Sequence, residues 1–100
     1  MTEDQIMEIA ASLVGFTPEE LRPERDRLVA FARAIRLVVL EEAAQICDDF
    51  AIDKWNLYKG RPPYNGTEDG RANSYVEGES DGAEKCAAAI RALADGGNHD

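Results

Sequence analysis

Residues 24–59 read ERDRLVAFARAIRLVVLEEAAQICDDFAIDKWNLYK. No glycine or proline interrupts them, so nothing in the backbone opposes one long helix. The pattern predicts that helix over residues 23–57. One apolar stripe runs Leu28, Ala32, Ile35, Val39, Ala43, Ile46, Phe50, in steps of 4, 3, 4, 4, 3 and 4. A second runs Leu37, Leu40, Ala44, Cys47, Ala51, Trp55. Together they exceed the single apolar face of a surface helix, so two neighbours must cover them. At 1.5 Å per residue the helix would reach roughly 50 Å, longer than a compact domain of this size is wide. It must therefore either break or protrude into a dimer or larger assembly.

Shorter elements flank it. Thr2 and Gln5 fit a capping box opening a helix over 2–14, which Gly15 can end in a left-handed turn. Thr17, Pro18 and Glu20 repeat the start signal, but Pro23 confines that piece to a short turn over 17–22. Residues 58–80, YKGRPPYNGTEDGRANSYVEGES, hold four glycines and two prolines and predict an irregular loop. Asp81 and Glu84 mark the start of a last helix over 81–95, whose face Ala83, Ala87, Ile90, Ala94 suits close helix contact. Residues 96–100 read as a tail. The expectation is a single all-α domain over 1–100, a small bundle or helical hairpin built on one long central helix.

Composition narrows the function classes. The 100 residues carry 20 acids against 11 bases, a net charge of −9, which disfavours direct binding to a nucleic-acid backbone. No apolar run approaches a membrane span, and the acidic first residues Glu3, Asp4 and Glu8 are unlike a secretion signal. With two cysteines, this predicts a protein of the reducing cytoplasm. Of the 44 apolar residues 15 are alanine, so the core is thin and a homo-oligomer is expected to supplement it. Charge is also segregated: residues 22–36 hold five arginines against two acids, and residues 41–53 hold five acids and no base.

The chemistry-bearing residues are few. The one histidine, His99, sits in the tail, so no nucleophile has an orienting base, and no catalytic residue is expected. Cys47 and Cys86 read as small inert core residues, with a redox pair as the alternative. They lack the further ligands of a zinc site, and no metal or cofactor is expected. Glu41, Glu42, Asp48, Asp49 and Asp53 form an acidic cluster on the long helix. Their spacing does not match the paired carboxylates of a metal-dependent nucleotide hydrolase, which is the third and weakest reading. As a surface they suit a basic, nucleic-acid-binding protein partner. The loop offers Tyr58, Lys59, Arg61, Tyr64, Asn65, Arg71 and Tyr75. Aromatic faces stack on bases and cations pair with phosphate, so these residues suit an oligomer that sequesters a small nucleotide signal.

The segments EEAAQICDDFA and SDGAEKCAAAIRAL, with the opening MTEDQIMEIA, resemble small accessory proteins encoded by tailed bacteriophages and prophages of proteobacteria. The resemblance implies a non-enzymatic protein of the bacterial host cytoplasm that binds and inhibits a host protein. A CRISPR component or another defence protein is the implied target. It carries no catalytic or binding residues, so the acidic cluster and the loop rest on their own chemistry.

Overall fold

The computed structural model describes residues 1–96, all helix and connection. Three helices form: α1 over Glu3–Val14, α2 over Arg25–Lys59 and α3 over Ser74–Gly96. A single 3-10 turn, Arg22–Glu24, leads into α2. The capping signals act as the sequence predicts. Thr2 Oγ1 accepts from Gln5 N at 3.1 Å while Gln5 Oε1 accepts from Thr2 N at 2.7 Å. Gly15 then ends α1 at φ 76°. Thr17 and Glu20 exchange the same pair of bonds at 3.3 and 2.9 Å, holding the turn that reverses the chain toward α2.

The long helix is unbroken across its 35 residues, including Glu41 and Glu42. It begins two residues later than predicted and ends two later, at Lys59, where Gly60 with a φ of 68° stops it. The larger correction concerns the loop. Irregular chain occupies only about 61–73, because α3 starts at Ser74 rather than Asp81. Asn73 supplies the start: its Oδ1 accepts from Tyr75 N at 2.8 Å and its carbonyl from Glu77 N at 3.2 Å. Gly78 and Gly82 inside the first turns disguise the helix in the sequence. Val76, Ser80 and Ala87 are buried at helical spacing, and that periodicity was the available signal.

α2 and α3 form a hairpin, and α1 packs on the other end of α2. The hairpin seam is made of small residues: Ala44 is 0%, Ala51 2% and Ala87 1% exposed. Ser80 is buried there too, its hydroxyl donating to the Ala51 carbonyl at 2.8 Å. Side chains this small let two helix backbones approach closely. At the other end, Ile6, Met7 and Ala11 of α1 and Val29 of α2 are buried, and Arg25 pairs with Glu3 and Asp4 at 3.4 and 3.3 Å. The result is a rod of 63 × 23 × 16 Å with a radius of gyration of 20.3 Å. A compact chain of this length would have about 13 Å. The second sequence stripe faces α3; the first is left largely open, with Ile35, Val39, Ile46 and Phe50 all exposed.

Candidate functional site

The five acids of α2 are not one cluster. Their spacing sends them in different directions at about 3.6 residues per turn. Glu41 and Asp48 meet Arg91 of α3: Arg91 donates to Glu41 Oε1 at 2.9 Å and Oε2 at 3.1 Å, and lies 2.7 Å from Asp48 Oδ2. The bidentate fork is the strongest form of this contact. It holds the Glu41 carboxyl below its ordinary range, and the two carboxylates raise the Arg91 guanidinium further above its own. Asp53 accepts from the Tyr64 hydroxyl at 2.8 Å and so anchors the loop. Its charge raises the Tyr64 phenol, chiefly through that hydrogen bond. Glu42 and Asp49 are exposed, and Asp49 accepts from Gln45 on its own helix, at 2.9 Å.

Glu41, Glu42, Asp48 and Asp49 lie on a third face of α2, which borders α3 where Glu41 and Asp48 reach Arg91. Positions 38, 41, 42, 45, 48, 49 and 52 recur there at steps of three or four. The face is not purely charged. Val38 is 59% and Ile52 57% exposed among the carboxylates, a mixture that the acidic run alone does not reveal. Arg91 was also missed as a site residue. It is the one base in the alanine-rich stretch 86–94, and only the hairpin register brings it to Glu41 and Asp48.

The loop residues do come together, but around one another. Glu68 accepts from the backbone N–H groups of Asn65 and Gly66 at 3.0 and 3.1 Å. Those bonds, Asn65 first, hold its carboxyl below the ordinary value. Asn65 Oδ1 accepts from Thr67 N and Oγ1 at 2.9 and 2.6 Å. Arg71 donates to the Tyr58 carbonyl at 3.2 Å, and Ala72 N to the same oxygen at 2.9 Å. Tyr58 stacks on Trp55 with centroids 5.6 Å apart, and Glu77 raises its phenol through a hydrogen bond. Lys59 Nζ lies over the Trp55 ring at 4.9 Å. Arg61 and Tyr75 point to solvent, on opposite sides of the loop sequence. Most of the polar groups offered for a nucleotide are thus engaged in tying the loop to the ends of α2 and α3.

The cysteines form no disulfide. Both line one apolar groove between α2 and α3, with Ile46, Phe50 and Ala83. Cys86 is exposed and Cys47 half-buried, so the expectation of two core thiols is corrected: α3 turns its Cys86 edge outward along the open stripe. A second apolar groove of about 380 Å³ lies between α1 and α2, lined by Ile9, Leu13, Phe31 and Ile35 among others. Among the described residues, no three His, Cys, Asp or Glu side chains converge as metal ligands, and no helix is long and apolar enough to cross a membrane. His99 lies outside the described residues. No known protein family, curated protein or solved structure matches the chain.

Proposed function

We propose that this is a non-enzymatic binding protein that engages a basic host protein through the outer face of α2. Inhibition of a bacterial defence component is the biological form of that reading, in keeping with the resemblance to phage accessory proteins. The observation that carries it is the composition of that face. Glu42 and Asp49 are exposed, Glu41 remains outward even while paired, and exposed Val38 and Ile52 flank them at either end. Carboxylates steer a cationic partner and set its register, while the apolar side chains supply surface to bury.

The structure also says which substitutions test it cleanly. Asp48 and Asp53 hold Arg91 and Tyr64, so removing them perturbs the hairpin. Glu42→Lys with Asp49→Lys changes the face alone. The tagged wild-type chain is expected to capture a host protein from bacterial lysate, with recovery falling as salt rises. The double variant is expected to lose it by tenfold or more, about 1.4 kcal/mol or above. Equal capture by both chains would overturn the acidic-face reading.

A further inference from the structure

The open stripe on α2 has a symmetry that the fold itself does not use. Its steps, 4-3-4 then 4-3-4, read the same from either end, with Val39 at the centre. Two copies of α2 laid antiparallel about Val39 would therefore match position for position. Leu28 would meet Phe50, Ala32 would meet Ile46, Ile35 would meet Ala43, and Val39 would meet itself. In two of these pairs a large side chain stands opposite alanine, which is how facing layers interdigitate. The mean step is near 3.7 residues, close to the repeat of a straight helix, so the match holds over some 33 Å without supercoiling.

We infer that this stripe is the surface on which a second copy of the chain packs, antiparallel, across a two-fold axis at Val39. Exposure supplies one argument. Val39 is 54%, Ile46 70%, Ile35 47% and Phe50 45% exposed, and half-buried Leu28 and Ala32 continue the strip along the groove beside α1, an apolar surface that a lone chain rarely leaves to water. Charge supplies the second. The arginine-rich half of α2 comes level with the partner's acidic half, whereas parallel pairing would set like against like. Packing supplies the third. α1 lies along the first half of α2 and α3 along the second, so the two-fold sets α1 of one copy level with α3 of the other. Each end then becomes a four-helix cross-section in place of a two-helix one.

This inference rests on the Val39 stripe and is read by chain mass and cross-linking, whereas the proposed function is read by capture of a host protein, so the two fail separately. Sedimentation equilibrium of the full chain is expected to give twice the 11.0 kDa chain mass at micromolar concentration. Val39→Asp places two carboxylates on the axis and is expected to raise the dimer Kd by roughly 100-fold or more. Orientation is read by cysteine cross-linking in a Cys47→Ala, Cys86→Ala background. Val39→Cys should cross-link to itself. Ala32→Cys should cross-link to Ile46→Cys in a mixture and not to itself. A single-chain mass at every concentration, a trimer or larger, a dimer indifferent to Val39→Asp, or Ala32→Cys joining itself would each overturn the inference. Should Val39→Asp lose its helicity, the cysteine pair decides alone.

Discussion

Arg91 shows how much one side chain can settle. Its fork on Glu41, together with Asp48, ties the C-terminal part of α3 to the middle of α2. All three groups reach solvent, so the contact fixes register more than it adds stability. Its pH dependence has a definite sign. The folded-state value of Glu41 lies below its ordinary 4.5, so the stabilisation is present above that value and lost as pH falls through the lower, folded one. Glu41→Gln should therefore lower the melting temperature at pH 7 relative to wild type, and the two curves should converge in acid. Melts followed by circular dichroism over pH 2–7 check this; a gap that persists at the lowest pH would contradict it. Glycine positions give the opposite signs side by side. A Cβ on Gly60, at φ 68°, would meet Arg71 Nε and Gly66 Cα at 2.8 Å. Gly60→Ala should cost at least about 1 kcal/mol in urea unfolding. Gly78, inside α3 with nothing within 4 Å, should gain about 0.5–1 kcal/mol on replacement by alanine.

At the scale of elements, the two longest segments were unequally legible. α2 announces itself, because no glycine or proline interrupts it and apolar positions recur on helical steps. α3 was half hidden. Its first turns carry Gly78, Ser80 and Gly82, which local propensity assigns to loops. Gly78 and Gly82 face open space, and it is the burial of Val76 and Ser80 against α2 that outweighs their low helix propensity. The acidic cluster was legible as composition and misread as geometry. Sequence shows five acids close in number; helix periodicity and the hairpin register divide them between Arg91, Tyr64 and solvent. The α2–α3 seam yields its own test. Ala44 is 0% exposed, so Ala44→Leu must push the helices apart and should cost about 1–3 kcal/mol. Urea unfolding measures it, and a neutral result would mean that the seam has slack.

On the scale of the whole molecule, α2 presents three sides of different character. One side of α2 is closed by α1 and α3. The stripe centred on Val39 is the side proposed for self-pairing, and the acidic face with Val38 and Ile52 the side proposed to meet a target. A two-fold axis at right angles to the helices keeps each flank of the seam on its own side. Both acidic faces would therefore look the same way, so a target with two basic patches could engage them together, with avidity beyond either contact alone. The connection at the far end of the rod bears on something else, the chemical ageing of the chain. Asn65 followed by Gly66 is the sequence most prone to deamidation, because the unshielded glycine nitrogen attacks the asparagine side-chain carbonyl carbon, closing a succinimide and expelling the amide nitrogen as ammonia. Here that nitrogen donates to Glu68 at 3.1 Å, and the asparagine oxygen is held by Thr67. Ring closure must first break those bonds, so the turn that joins α2 to α3 also slows the covalent decay of its own most fragile dipeptide.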